Sequence, residues 1–223
     1  MKDHESSENN ERHNSPRDRR ERSDVVCRLV LFPDGRMIAV SSDESHPLGV
    51  SFWLNMQGYQ CSTCREFHSG LPFSYSSPAP APYFAIPEGE RDDRVLLSFD
   101  QCVIDDEHFF ILGRLEIPVL DADEDLFSWN AWVSLSEKNF NRATELWETA
   151  GREKEPPYFG WLSTSLPCYV VDTFLLKANI HTRPVGERPF IQLEPTDHPL
   201  AIEQRNGIGL KRIQEIAECA LHG

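Results

Sequence analysis

Missing from this 223-residue sequence is any run of about 18 apolar residues, so no segment is suited to cross a bilayer as a helix. The N-terminus also lacks the apolar core of a secretory signal, and the expected location is therefore the cytoplasm. Basic residues are scarce: 22 Lys+Arg stand against 36 Asp+Glu, a formal net charge of -14. Residues 1–55 hold 8 of the bases and 10 of the acids, which leaves 14 against 26 for the rest. Nucleic-acid binding draws its affinity from Lys and Arg neutralising phosphates, so DNA and RNA are not expected partners. A phosphate-cradling Gly loop, a Gly-x-Ser-x-Gly elbow and a His-Glu-x-x-His pair are also lacking. Their absence removes the most recognisable nucleotide-binding, serine-hydrolase and metalloprotease signatures. Six cysteines scattered through a chain able to build its own core do not suit a disulfide scaffold; reduced thiols, some of them on a metal, fit better.

The large apolar residues that are present begin late. Residues 1–24 contain none after Met1 and mix both charges, the composition of a disordered tail. Val25 to Val40 is two apolar runs around Pro33-Asp34-Gly35, which predicts a β-hairpin; residues 25–55 read either as an N-terminal extension or as a gene-model artefact preceding a start near Val50 or Met56. Residues 56–223 carry the aromatics and the periodic patterns of a single α+β domain, a mainly antiparallel sheet with a few packed helices.

Alternation over Ile111 to Val119 and over Trp129 to Leu135 predicts strands. Ser136 offers a helix N-cap, followed by Phe140, Ala143, Trp147 and Ala150 at helical spacing up to Gly151. A hairpin centred near Val185 and Gly186 sets Asn179 across from Gln192 and Lys177 across from Glu194, with a Lys177–Glu194 ion pair expected. His198-Pro199 marks a helix start and Gly207 its end. A last helix runs from about Leu210 to Leu221 with Leu210, Ile213, Ala217 and Ala220 on one face. The Pro78–Pro82 stretch predicts an extended segment, and Pro156 to Trp161 predicts core aromatics or a ligand-facing surface. The acidic run from Asp121 to Asp125 lacks the ligand spacing of a calcium loop and reads as solvated.

The strongest chemical signal is Cys61-Ser-Thr-Cys64-Arg-Glu-Phe-His68, which could form a small zinc knuckle at the start of the domain. Two cysteines separated by two residues can aim both sulfurs at one point, and tetrahedral zinc needs four N or S donors. Cys102 is the expected fourth donor, giving a closed and hence structural Cys61, Cys64, His68, Cys102 site. The competing readings are buried free thiols and a redox dithiol. The latter is disfavoured because Ser69-Gly70-Leu71-Pro72, rather than a helix, follows. Arg65 stands where a Gly would ease the turn. A second constellation, His181, Glu194 and His198, offers imidazoles and a carboxylate for general acid/base work in a hydrolase or other enzyme, against the plainer reading of a cross-strand pair and a helix cap.

The pieces CSTC with His68 and GLPF, DQCVID at 100–105, ILGRLEIPV at 111–119, WNAWVSLSEKNF at 129–140, PPYFGWLST at 156–164 and LEPTDHPLAIEQRNGI at 193–208 occur in this order. Over about residues 60–222 the chain resembles a bacterial domain-of-unknown-function family, number twenty-one ninety-nine. The resemblance implies a domain starting near the cysteine motif and no particular activity. The chain departs from the family pattern at Arg65 and at Cys168-Tyr169-Val170-Val171. The functional expectation is a cytoplasmic binding or interaction module with a structural zinc, its partner a protein or small molecule; the alternative is the acid/base enzyme.

Overall fold

The structure, a computed structural model, describes residues 27–31, 37–41, 58–121 and 126–222. The N-terminal tail and most of residues 25–55 lie outside them, as do residues 122–125 of the acidic run. The chain builds both sheet and helix, with sheet predominating. The strands are β1 Cys27–Leu31, β2 Met37–Ser41, β3 Tyr59–Gln60, β4 Phe67–His68, β5 Ser74–Ser76, β6 Val95–Leu97, β7 Gln101–Ile104, β8 His108–Pro118, β9 Leu126–Leu135, β10 Tyr158–Leu162, β11 Lys177–His181 and β12 Phe190–Leu193. Three helices of two turns or more follow: α1 Glu137–Glu145, α2 Pro199–Asn206 and α3 Leu210–His222.

Five strands close on themselves. β8 pairs with β9, β9 with β10, β10 with β11, β11 with β12, and β12 returns to β8 through the parallel bridge Phe190↔Arg114, beside a bond from Arg114 N to Pro189 O of 2.7 Å. The result is a small closed barrel, extended on one side by β5, β2 and β1 and on the other by β7 and β6. Most pairings are antiparallel, as expected of a mainly antiparallel sheet, and the structure departs from that picture in two respects. β5–β9 and β12–β8 run parallel, and the sheet closes. Closure follows from length: β8 and β9 pair over ten residues, so each is long enough for the short β10–β12 meander to wrap back onto β8.

Period-two alternation then separates two cores. Ile111, Leu115 and Ile117 of β8 join Trp129, Ala131 and Val133 of β9, Leu162, Ala178, Ile180 and Ile191 in the main core. Phe110 and Leu112 of the same β8 point the other way, onto Trp132, Cys102, Ile104 and Ile86. β8 and β9 are thus buried on both faces at their centres. Gly160 marks the tightest approach in the barrel wall, because a Cβ there would stand 2.3 Å from Ser134 O and 2.8 Å from Ile180 Cδ1.

Local signals set the remaining elements. Asn179↔Gln192 is the observed β11–β12 register, and Glu194 N donates to Lys177 O at 2.9 Å. The ion pair expected between those side chains is not among those of the described residues; Lys177 Nζ lies instead 5.7 Å from the Trp161 ring centroid. Ser136 caps α1, its hydroxyl accepting from Asn139 N at 3.3 Å. α1 ends at Glu145, before the expected Gly151, because i→i+3 bonds such as Trp147 N to Thr144 O tighten the chain into turns. Trp147 leaves the helical face and packs on the Arg152 guanidinium, 5.1 Å away. The Pro78–Pro82 stretch is not extended throughout: the chain bends at Pro78 and Ala79, Pro80 is extended, and Ala81–Phe84 forms a helical turn. Asp121 is not merely solvated, since its Oδ2 accepts from Leu210 N at 3.0 Å and caps the start of α3. Ile213, Ile216, Ala217 and Ala220 bury one face of that helix.

Candidate metal centre

β3 and β4 form a two-stranded hairpin, with Tyr59↔His68 and Gln60↔Phe67. The six residues between them fold into a tight turn held by Cys61 N to Glu66 O at 2.9 Å and Arg65 N to Cys61 O at 3.0 Å. Gly58 admits this geometry, because a Cβ there would lie 2.0 Å from His68 O. Arg65 adopts φ 63°, the left-handed conformation for which glycine is the natural residue. The sequence objection thus marks a real strain, and the turn forms in spite of it.

The turn brings two sulfurs together with one imidazole, and α3 supplies another. Cys64 Sγ lies 3.2 Å from His68 Nε2, and Cys61 Sγ lies 3.2 Å from His222 Nε2. One donor atom from each of Cys61, Cys64, His68 and His222 falls within 4.8 Å of every other. A tetrahedron with Zn–S near 2.3 Å and Zn–N near 2.0–2.1 Å places its donors about 3.3 to 3.8 Å apart, so shifts of about 1 Å or less complete it. The donor set, two thiols and two imidazoles with no carboxylate, suits a borderline-soft transition metal rather than calcium or magnesium.

His222 is held in place by its own helix. Gln214, Glu218 and His222 recur every four residues and so share one face of α3. Glu218, buried, accepts from Ser62 N at 2.9 Å, from the Ser62 hydroxyl, and from Gln214 Nε2 at 2.8 Å. Gln214 Nε2 also reaches Gln60 O at 3.2 Å. Beneath these polar links, Tyr59, Cys61 and Ala217 pack as a small apolar unit with Leu71.

The electrostatics favour a cation. Burial works against the Cys61 thiolate, but the Cys64 and Thr63 amides pointing at the sulfur outweigh it, and the thiol titrates below its ordinary value. The Glu66 amide favours the Cys64 thiolate, yet burial and the neighbouring Cys61 push that thiol upward. A bound metal would relieve this competition by stabilising both thiolates. Hydrogen bonds from Gln214 and Ser62 hold the Glu218 carboxyl below the usual range.

Cys102, the expected fourth donor, sits elsewhere. It is fully buried on β7 among Ile86, Ile104, Phe110, Leu112 and Trp132, away from the β3–β4 turn. Burial pushes its thiol up to about 12, the opposite of what a thiolate ligand needs. Alternation explains the placement: Cys102 shares its strand face with Ile104, and that face is lined with hydrocarbon.

Among the described residues no hydrogen bond joins His181, Glu194 and His198 to one another. His181 lies opposite Phe190 in the β11–β12 ladder and pairs through Nε2 with Gln192 Oε1 at 2.9 Å. Glu194 lies four residues beyond Phe190, about 13 Å along the chain at strand rise. His198 uses both ring nitrogens structurally. Nδ1 accepts from Leu200 N at 3.1 Å as the cap of α2, and Nε2 donates to Val171 O at 3.2 Å. On β10, Tyr158, Gly160 and Leu162 face inward while Phe159 and Trp161 face outward, so the aromatic stretch divides between core and surface.

The profile of a family described as "Uncharacterized protein conserved in bacteria (DUF2199)" matches residues 60–208, well over half of the chain, and the chain belongs to that family. No curated protein and no solved structure matches it. Three of the four donors fall within the matched residues; His222 lies beyond them. Among the described residues no helix is long and apolar enough to cross a membrane.

Proposed function

We propose that this is a cytoplasmic binding module whose last helix is fastened to the start of the domain by a structural zinc ion. The convergence of Cys61, Cys64 and His68 with His222, 154 residues further along the chain, carries this reading. Four protein donors leave no open position for substrate or water, which favours a structural over a catalytic metal. The free thiols of Cys61, Cys64, Cys102, Cys168 and Cys219 fit a reducing compartment. The outward aromatics Phe159 and Trp161, beside Lys177, support a surface that takes a protein or small-molecule partner, and the acidic body disfavours nucleic acid.

Elemental analysis of the purified full-length chain tests the proposal, with about one equivalent of zinc expected. Cys61 and Cys64 should resist alkylation until a chelator is added. Less than about a tenth of an equivalent, with both thiols freely alkylated, contradicts it.

A further inference from the structure

Two more cysteines meet away from the metal centre. Cys168 lies in the segment joining β10 to β11, and Cys219 lies in α3, three residues before His222. Cys168 Sγ points at Ile216 O from 3.7 Å. Cys219 stands three residues on from Ile216 and so shares that side of α3. The two thiols are close enough for each to shift the other's titration. Arg212, one helical turn before Ile216, donates to Cys168 O at 3.2 Å and pairs with Glu203 at 2.7 Å, placing a cation beside the thiols. Both cysteines are partly accessible.

The geometry points to Cys168 and Cys219 as an oxidisable dithiol that closes to a disulfide on exposure to hydroperoxide, covalently tying α3 to the β10–β11 segment. The Cys219 thiolate attacks the peroxide oxygen, becomes a sulfenic acid and releases water once the leaving hydroxide is protonated. The Cys168 sulfur then attacks the Cys219 sulfur, forming the S–S bond and releasing a second water. Two thiols are oxidised as one peroxide is reduced. Roles divide by environment. The neighbouring Cys168 thiol, outweighing burial and helped by Arg212, lowers the Cys219 thiol to about 7. The neighbouring Cys219 and burial hold Cys168 protonated, its thiol directed at Ile216 O, which suits the resolving thiol.

The test is peptide mapping of the full-length chain, with its metal as isolated, after one equivalent of hydrogen peroxide and an alkylating quench. Trypsin places Cys168 in residues 155–177, Cys219 in residues 213–223, and Cys61 and Cys64 together in residues 37–65. The expected product is the 155–177 peptide disulfide-linked to 213–223, abolished by dithiothreitol. Cys168→Ser should leave a Cys219 sulfenic acid that dimedone traps, an adduct scarce in the unsubstituted chain. Recovery of Cys168 and Cys219 singly alkylated, or of Cys219 linked to the 37–65 peptide, overturns the inference whether or not Cys168→Ser folds.

Discussion

Replacing His222 by Ala removes one donor and leaves the β3–β4 turn untouched. Structural zinc sites of this kind are worth about 10–16 kcal/mol, so one donor in four accounts for roughly 3 kcal/mol. Water entering the vacated position recovers part of that, and zinc affinity should fall about 100-fold. Ser62 still holds Glu218 and Gln214 still reaches Gln60 O in the variant, so α3 should stay docked and the loss should be one of affinity rather than of fold. Cys102→Ala is the paired control. It takes a buried sulfur out of the pocket lined by Phe110, Leu112 and Trp132, costing about 1 kcal/mol of stability and nothing in zinc affinity. Competition against a chromophoric chelator measures both constants. Unchanged affinity in His222→Ala, or a tenfold loss in Cys102→Ala, refutes the assignment of the fourth donor.

Glu218→Gln removes a carboxylate that accepts two hydrogen bonds from Ser62 and should destabilise the metal-free protein by about 2–3 kcal/mol near neutrality, measured by urea unfolding. Because the folded carboxyl is held below its ordinary value near 4.5, its contribution is present above that value and lost as pH falls further; the variant and the parent chain should converge in acid, and a gap persisting at about pH 2 contradicts the reasoning. Gly160→Ala drives a Cβ into Ser134 O and should cost about 3 kcal/mol or prevent folding, whereas Gly151→Ala, which meets nothing within 4 Å, should cost only about 1 kcal/mol from its φ of 90°; equal losses on thermal melting would count against the close β9–β10 approach. Arg65→Gly should relieve the left-handed strain and tighten zinc binding two- to fivefold by chelator competition, and weakened binding would show that the strain is not resident in this turn.

The local parts of the site are legible in the sequence. Cys61, Cys64 and His68 lie within one short hairpin, so their spacing reports their convergence. His222 is not legible that way. Its only signal is the four-residue recurrence of Gln214, Glu218 and His222, which on an amphipathic helix looks like an ordinary solvated face until Ser62 is seen to pair with Glu218. Cys102 misleads for a related reason: alternation along Gln101–Ile104 marks a strand, but it does not say whether Cys102 faces the hairpin or a second apolar core. Strand existence, the β11–β12 register and the His198 cap follow from neighbours within a few residues, and the structure shows each of them. Barrel closure rests on β12 meeting β8 across the chain through a single bridge, a pairing that no periodicity encodes.

Zinc-edge X-ray absorption of the purified full-length protein tests the central claim most directly, since it counts sulfur and nitrogen neighbours of the metal itself. The Cys61, Cys64, His68 and His222 set predicts two sulfurs near 2.3 Å and two imidazole nitrogens near 2.0–2.1 Å. Three sulfurs and one nitrogen would restore Cys102 to the site, and a shell of light oxygen donors alone would show that the four residues do not hold the metal.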